Sequence, residues 1–337
     1  MKKVLLIVLS IFMIITICGC AKKSEKLPIK VLIAPHFEIG DMENDAPGEA
    51  QMFFEEYLQD CDVYPVTDGI SLWYNPENDV AMYLTGLGKV NASISTTLVL
   101  SDDRFDFSDT YILAVGCSGS AVEYATLGDV ILESAVCDYD LGHTADVRET
   151  ESGENLWFTS SEYDEIGCKK FDPDTVARAY ELTKGIKLNT TDMSRDMLAR
   201  NFPGEEWAMR DPAVIKGTSI TSDNYWKGRY QHEKAVQVTE YYKCPDPYAS
   251  TEMEDVAVAS VAEQFGLLDR TLVLRVSVNV DVFYDGATPE SLWGDGVAFT
   301  GTVSDDNEET LDIFDPGMDN LFRVSQTIID SMLNEEF

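Results

Sequence analysis

The sequence predicts an α/β fold of three layers, α/β/α, in which helices cover both faces of a central, mostly parallel, mixed and twisted sheet. Short apolar runs rich in β-branched residues alternate along the chain with segments of helical periodicity. Near-continuous apolar strands of this kind are buried on both faces of a sheet. Glycine-rich turns follow several of them, and in such folds ligands bind at the carboxyl ends of the strands.

The predicted elements alternate in a regular order. Apolar runs predict strands at 30–34, 80–85, 110–115, 128–132, 214–215 with 217–220, and 271–278, and helical periodicity predicts helices at 48–58 and 89–100. Pro35 ends the first strand, and Gly86-Leu87-Gly88 opens the second helix. The small residues 116–121 predict a loop, and the acidic segment 251–255 predicts the start of a further helix.

Residues 1–20 look like the processing signal of bacterial lipoproteins. The apolar run Val4–Ile17 is too short for a comfortable membrane span. The residues that follow, Ile17-Cys18-Gly19-Cys20, resemble a lipobox. That resemblance implies removal of a signal peptide, 1–19, and lipidation of Cys20, which anchors the chain without spanning the bilayer. An ordinary cleaved signal peptide and an uncleaved anchor are the alternatives.

The remainder divides into a tether and one domain. Residues 20–29 are lysine-rich at first and are expected to form the tether, and the domain is expected to extend over 30–337. No apolar run of about 18 residues follows the signal, so the domain cannot form a transmembrane channel by itself. The expected location is the extracytoplasmic face of the cell membrane, reached through the lipid anchor.

The charge of the chain restricts its partners. Lys and Arg together number 25 and Asp and Glu number 60, which gives a formal net charge of −35. A surface this acidic repels nucleic acids and free phosphate at long range, whereas neutral small molecules meet no such barrier. No nucleic-acid partner is therefore expected.

Cysteine and histidine offer no recognisable metal or disulfide motif. After Cys18 and Cys20 the chain has five widely spaced cysteines: Cys61, Cys117, Cys137, Cys168 and Cys244. The odd number and the spacing predict no disulfide framework, and no Cys-x-x-Cys pair occurs among them. Histidine occurs three times, at His36, His143 and His232. We expect no metal site and no cofactor.

An ordered set of motifs resembles a known family. The motifs are 85–92, 116–121, 127–130, 222–228, 252–255 and 275–279. In this order and spacing they resemble the nucleoside phosphorylase/nucleosidase superfamily, and more closely the purine nucleoside permease family, over about residues 30–290. The stretches 223–228 and 279–281 look particularly like the permease family. The resemblance implies the nucleoside phosphorylase-like version of the α/β/α fold and a purine nucleoside as ligand.

The resemblance also implies roles for individual residues. Met253 and Glu254 resemble the pair that binds ribose, because a carboxylate accepts hydrogen bonds from two hydroxyls and Met packs on the sugar. Tyr225 is similar to the aromatic residue that packs on the base. The remaining implied positions are Ser118 and Gly119, at the floor of the pocket, and Asn279, at the purine edge. Met253 as a core residue, Tyr225 as a loop anchor and Asn279 as a cap are the structural alternatives.

Binding and catalysis are both compatible with these motifs. Glu38, and Asp281 if the register is shifted, are the expected catalytic residues if the protein is an enzyme. Asn279 stands where related nucleosidases hold an acid, and an amide cannot deliver a proton to a departing purine. The first hypothesis is therefore a lipid-anchored nucleoside-binding protein that supplies a membrane transporter. A surface nucleosidase or phosphorylase is the second, and a fold used only for protein contacts is the third. Superfamily members often form oligomers, so a homo-oligomer is also expected.

Overall fold

A mixed sheet of ten strands forms the centre of the part of the chain that the structure describes. The computed structural model describes residues 25–154, 156–284 and 305–337. The signal peptide expected at 1–19 and the lipidation site expected at Cys20 lie outside these residues.

The strands are β1 (Leu27–Pro28), β2 (Val31–Pro35), β3 (Asp62–Thr67), β4 (Ile70–Asn75), β5 (Val80–Met82), β6 (Phe105–Asp106), β7 (Tyr111–Ser120), β8 (Val130–Asp138), β9 (His143–Ala145), β10 (Leu156–Phe158), β11 (Cys168–Lys170), β12 (Val214–Thr221), β13 (Tyr248–Glu252) and β14 (Thr271–Val280). The α-helices are α1 (Gln51–Tyr57), α2 (Lys89–Leu100), α3 (Pro173–Thr183), α4 (Asp192–Asn201), α5 (Glu206–Met209), α6 (Arg229–Tyr241), α7 (Asp255–Gln264) and α8 (Asp305–Leu333).

The strand order of the large sheet is β11-β8-β12-β13-β7-β2-β5-β4-β3, and β14 pairs with both β7 and β8. The pairs β5–β2, β2–β7 and β7–β14 are parallel, and the edge strands β4 and β3 add antiparallel pairs. Helices α2 and α7 pack together, and α8 packs against β14, α3 and α4. The predicted three-layer α/β/α architecture with a mixed central sheet is confirmed.

The central strands are apolar because they are buried along their whole length. All five residues of β2 and all ten residues of β14 are buried. This removes the alternation of apolar and polar residues that a half-exposed strand would show. Helix α2 has the predicted bounds, and Gly88 precedes it with a φ of 83°, a left-handed conformation that favours glycine.

Two local predictions were wrong. The segment predicted as a loop, 116–121, is mostly the second half of β7, which continues because it pairs with β13 and β14. The segment predicted as a helix start, 251–255, begins as the end of β13, and α7 starts only at Asp255. In both cases the backbone pairs with strands distant in sequence, which local composition does not reveal.

The end of the expected tether belongs to the fold. Leu27–Pro28 forms β1, which pairs in parallel with β6, and Ile29 is buried. None of the described helices has the length and apolar character that crossing a membrane requires.

The structure also contains a disulfide that the cysteine spacing did not predict. Cys137 in β8 and Cys168 in β11 are opposite each other on antiparallel neighbouring strands and are bonded. The pairing of these strands, rather than any sequence motif, brings the two residues together, and spacing alone does not give such connectivity.

Candidate functional site

A pocket of about 130 Å³ lies at the edge of the sheet where β2, β7, β13 and β14 end. It is lined by His36, Phe37, Glu49, Leu87, Cys117, Ser118, Gly119, Tyr225, Thr251, Glu252, Met253, Glu254, Arg275, Val278 and Asn279. Wider clefts of about 820 and 490 Å³ lie elsewhere on the surface. The smaller pocket is nevertheless the candidate site, because ligands of this fold class bind at the carboxyl ends of the strands.

All six residues predicted to bind a nucleoside line this one pocket: Ser118, Gly119, Tyr225, Met253, Glu254 and Asn279. They come from β7, from the loop before α6, from the β13–α7 junction and from β14. The two residues predicted for catalysis, Glu38 and Asp281, are not among the lining residues.

Arg275 forms the centre of the pocket wall, although it lies inside an otherwise apolar strand. Its Nε and Nη2 donate to the two carboxylate oxygens of Asp255, at 2.8 and 2.7 Å, and its Nη1 donates to the carbonyl of Cys117 at 2.8 Å. Gly116 makes room for it, since a Cβ there would lie 2.6 Å from Nη1 of Arg275 and 2.6 Å from Glu49. Only glycine therefore fits beside this guanidinium.

Two more carboxylates approach the same guanidinium. Nη2 of Arg275 lies 3.3 Å from Oε2 of Glu252 and 3.3 Å from Oε2 of Glu254. The carboxylate of Glu252 accepts from the N–H groups of Glu254 and Asp255, at 2.6 and 2.7 Å. It therefore pairs with backbone donors that would otherwise lack a partner at the start of α7. Glu254 accepts from the N–H of Gly88 at 3.0 Å, which ties α7 to the start of α2.

Glu49 and His36 complete the charged wall. The carboxylate of Glu49 accepts from the N–H groups of His36 and Cys117, both at 2.8 Å. Burial raises the pKa of Glu49, and Arg275 opposes that shift. Burial and then Arg275 lower the pKa of His36 well below its ordinary value, so its imidazole is neutral at pH 7. The His36 ring contacts the Thr85 hydroxyl at 2.7 Å and Arg275 at 2.9 Å.

Negative charge exceeds positive charge in this wall, and the carboxyl groups are correspondingly harder to ionise. Burial, which Arg275 only partly offsets, raises the pKa of Glu254 to about 7 and that of Asp255 to about 7. Near neutral pH, part of the population therefore carries a proton on one of these carboxyl groups. Carboxyl oxygens that one guanidinium does not saturate remain acceptors for a ligand.

The opposite end of the pocket is formed by Asn279 and Tyr225. Nδ2 of Asn279 donates to the Tyr225 hydroxyl at 3.0 Å, and the Tyr225 side chain is about half exposed at 49%. The pairing of β14 with β7 skips Val278, because Ser277 is opposite Ser118 and Asn279 is opposite Gly119. This bulge lets two consecutive residues, Val278 and Asn279, line the same pocket.

Glu38 lies beside the pocket wall but faces away from it. Its carboxylate accepts from the N–H groups of Ala50 and Gln51, at 2.8 and 2.6 Å, and from that of Gly48. These groups lie at the start of α1, so Glu38 accepts hydrogen bonds from the backbone donors that a helix N-terminus leaves unpaired. It thereby fixes the turn that carries Glu49, and Glu49 is the residue of this region that reaches the pocket.

Asp281 belongs to a separate buried cluster. One oxygen contacts Nδ1 of His232 at 2.7 Å and accepts from the Tyr248 hydroxyl at 2.8 Å, and the other accepts from the Val122 N–H at 3.3 Å. The alternative in which a shifted register brings Asp281 to the site does not occur, because the bulge in β14 places Asn279, and not Asp281, in the pocket lining.

Sequence reasoning missed Glu49, His36 and Arg275 as pocket residues. Arg275 carried a readable signal, since an arginine in the middle of a strand of Val and Leu must be paired. Glu49 and His36 carried none, because their proximity depends on the path of the turn between β2 and α1.

Residues 28–336 match the model of the protein family described as purine nucleoside permease (NUP). The matched range includes all ten strands of the large sheet and every residue that lines the pocket.

Similar curated proteins carry related names. The probable purine nucleoside permease of Schizosaccharomyces pombe is 25% identical over 287 residues, which cover 77% of each protein. A purine nucleoside permease of Candida albicans is 25% identical over 220 residues, or 58% of this chain and 53% of that protein. A 5′-methylthioadenosine/S-adenosylhomocysteine nucleosidase of Bacillus pumilus is 28% identical over 192 residues, or 56% and 64%.

Solved structures share the fold at low sequence identity. The 5′-methylthioadenosine/S-adenosylhomocysteine nucleosidase of Helicobacter pylori has a TM-score of 0.58 at 13% identity, over 91% of this chain and all of that chain, 100%. The futalosine hydrolase of Helicobacter pylori has a TM-score of 0.57 at 14% identity, over 90% and 98%. The predicted nucleoside phosphorylase-like fold is therefore confirmed.

Proposed function

The chain belongs to the purine nucleoside permease family, and from this membership we propose that it binds purine nucleosides in the pocket around Arg275 and contributes to their uptake. One observation carries the proposal. The six residues that the sequence predicts to bind a nucleoside all line a single pocket, although they come from distant parts of the chain.

The sugar lies against Glu254 and Met253 in this proposal. Glu254 is nearly buried, at 3% exposure, and its position is fixed by the N–H of Gly88 and by Arg275. A fixed carboxylate accepts hydrogen bonds from two neighbouring ribose hydroxyls, and such charge-assisted bonds are about twice as strong as neutral ones. Met253 supplies an adaptable apolar surface for the sugar ring.

The base lies between Tyr225 and Asn279. The amide of Asn279 offers hydrogen bonds to a purine edge, and its orientation is set by the Tyr225 hydroxyl. The pocket volume, about 130 Å³, is below the roughly 300–1,000 Å³ typical of ligand pockets. A bound nucleoside therefore requires the half-exposed Tyr225 side chain to swing outward and then cover the base.

In this proposal the protein contributes to uptake by binding the nucleoside at the cell surface. Lipidation of Cys20 anchors the protein at the extracytoplasmic face of the membrane, and the pocket then delivers its nucleoside to a separate membrane transporter. The strong negative charge of the chain is compatible with this role, since an uncharged nucleoside is not repelled. Homo-oligomerisation remains a prediction.

Hydrolysis of the nucleoside is the second candidate, and Glu49 is the observation that favours it. A buried carboxyl group with a raised pKa at the pocket wall is suited to activate water as a general base. Against turnover, Asn279 cannot act as the acid that protonates the departing base. Phosphorolysis is disfavoured, because the lining arginine is already paired with Asp255.

Equilibrium binding and product analysis distinguish these functions. The chain is incubated with inosine and with adenosine, with and without phosphate, while binding is measured by calorimetry and free base by chromatography. We expect saturable binding and no free base. Release of base at enzyme-like rates that Glu49→Gln abolishes would establish the hydrolase instead. Neither binding nor release would leave only a role in protein contacts.

A further inference from the structure

Three cysteine sulfurs meet outside the pocket, where β11 pairs with β8 at the edge of the sheet. The Sγ of Cys244, in the turn between α6 and β13, lies 3.4 Å from the Sγ of Cys137 and 3.7 Å from that of Cys168. Cys137 and Cys168 form the disulfide. Within the described residues, this is a group of three side chains whose ligand atoms lie within 4.8 Å of one another.

The third sulfur lies beside the disulfide and not along its axis. Thiol–disulfide exchange requires the attacking sulfur to approach in line with the bond that breaks, which would place it much nearer one sulfur than the other. Here the two distances, 3.4 and 3.7 Å, are nearly equal. The three sulfurs therefore form a triangle, and a triangle is the arrangement that three ligands of one metal ion adopt.

The dimensions of the triangle fit a soft metal ion. Zinc binds thiolates at about 2.3 Å in tetrahedral geometry, which separates neighbouring sulfurs by roughly 3.8 Å. Both distances from Cys244 are already close to that value. Once the bond between Cys137 and Cys168 is broken, only those two sulfurs have to move apart.

The surroundings of the three sulfurs are largely apolar. Cys137 is fully buried, and the cluster packs against apolar and aromatic side chains that include Ile220, Trp226 and Tyr242. The ammonium of Lys170 donates to the carbonyl of Lys243, the residue before Cys244, at 3.1 Å. Thiolate ligands select soft ions, and the hydrophobic shell around a metal site controls solvent access to it.

Solvent reaches the cluster from two sides. Cys168 lines the cleft of about 820 Å³, and Cys244 lines the separate cleft of about 490 Å³. A reductant has access to the disulfide through the first cleft, and a metal ion has access to the third sulfur through the second. A metal site requires such an entry path.

We propose that reduction of the disulfide turns Cys137, Cys168 and Cys244 into a three-thiolate site for one soft metal cation. An external dithiol supplies two electrons and two protons, becomes a disulfide itself, and leaves thiols on Cys137 and Cys168. Metal binding then releases the three thiol protons to solvent, and a water molecule completes the tetrahedron. The cluster is thus a disulfide with a free thiol when oxidised and a metal centre when reduced.

Cadmium titration tests the proposal, because cadmium–thiolate bonds absorb in the near ultraviolet. The full chain with Cys18 and Cys20 both replaced by Ser is titrated with Cd²⁺ before and after reduction by a dithiol that is then removed. We expect one tight Cd²⁺ per reduced chain and no tight site in the oxidised chain. Because changes outside the ligand shell already cost about 10–100-fold in affinity, Cys244→Ser should weaken binding by roughly 100-fold or more.

Matched thiol variants keep the result interpretable. Cys61→Ser and Cys117→Ser remove thiols outside the cluster and should leave the cadmium affinity unchanged. A thermal melt verifies that Cys244→Ser is folded, and Cys168→Ser provides a second loss-of-ligand variant. Undiminished affinity in both Cys244→Ser and Cys168→Ser, or equal loss in the Cys61 and Cys117 controls, would overturn the proposal.

Discussion

Two buried clusters of this molecule each combine a histidine with carboxylates, yet they are built differently. Around Arg275, three carboxyl groups contact one guanidinium: Glu252, Glu254 and Asp255. A fourth, Glu49, accepts from the backbone N–H of His36 and lies within the field of the same guanidinium. Around Asp281, one carboxylate meets the His232 ring, the Tyr248 hydroxyl and the Val122 N–H. The first cluster has a surplus of negative charge, and the second contains a single carboxylate with three partners.

The difference separates the wall of the candidate pocket from a structural joint. Several buried carboxyl groups around one cation are costly to the fold, and a ligand that donates hydroxyls to them offsets part of that cost. The Asp281 cluster has no such surplus, and it joins α6, β13 and the end of β14. The two residues predicted for catalysis, Glu38 and Asp281, both occupy structural joints, whereas Glu49, which was not predicted, lines the pocket.

The largest expected effect comes from removing the shared guanidinium. Arg275→Met leaves four buried carboxyl groups without a cation, and breaking a buried ion pair costs about 3–5 kcal/mol. We expect the free energy of unfolding at pH 7, measured with urea, to fall by that amount. A loss below about 1 kcal/mol would mean that the carboxyl groups do not depend on Arg275 and that the comparison is wrong.

The next effect separates binding from stability. In Glu254→Gln a charged acceptor becomes neutral, and hydrogen bonds to charged groups are worth about 1.5–3 kcal/mol. We expect the affinity for inosine to fall about 10–100-fold with no change for the free base hypoxanthine, as measured by calorimetry. The free energy of unfolding should be unchanged or higher, because one surplus carboxylate is gone.

Asp281→Asn is the matched control for that substitution. It removes a charge from the Asp281 cluster, and we expect it to lower the free energy of unfolding by about 1–3 kcal/mol and to leave inosine affinity unchanged. If Glu254→Gln lowered the affinities for inosine and hypoxanthine equally, the assignment of Glu254 to the sugar would be wrong. If Asp281→Asn weakened the affinity for inosine, the two clusters would not differ in function as described.

The smallest expected effect is a dependence on pH. Burial raises the pKa of Glu254 from its ordinary 4.5, and that of Asp255 from 3.8, to about 7. The folded state therefore holds more protons than the unfolded state between about pH 4 and 7. These groups make the free energy of unfolding fall as pH rises through that range and become constant above it.

The difference between the wild type and Glu254→Gln isolates this effect from the rest of the acidic chain. Urea titrations at pH 5 and pH 8 should show the variant gaining stability relative to the wild type, on the order of 1–2 kcal/mol. A difference that is the same at both pH values would show that Glu254 is not protonated in the folded state near neutral pH.

Much of the site could be predicted because its residues lie in short motifs at strand ends. Met253 and Glu254 are adjacent, and Asn279 ends a visible apolar strand. Glu49 could not be found in this way, since it reaches the pocket only through the turn that Glu38 fixes. The local amino-acid composition does not predict that turn.

The disulfide was missed for a related reason. Cys137 and Cys168 become neighbours only when β11 adds to the edge of β8, and Cys244 joins them from a turn more than 70 residues further along. Pairing between distant strands is a property of the whole sheet. The pattern of apolar residues predicts that a sheet forms, but not which cysteines face each other across it.

The bulge at Val278 bears on how this pocket can diverge between relatives. In a regular strand, neighbouring side chains point to opposite faces, so a change beside Asn279 would disturb the packing behind the sheet. Here Val278 and Asn279 both face the cavity. Val278 also packs against α8, since a Cβ at Gly317 would lie 3.4 Å from its Cγ1. A change at Val278 therefore acts on the pocket and on the packing of α8 together, whereas a change at Asn279 acts on the pocket. A single irregular residue thus couples the shape of the pocket wall to the packing of the C-terminal helix.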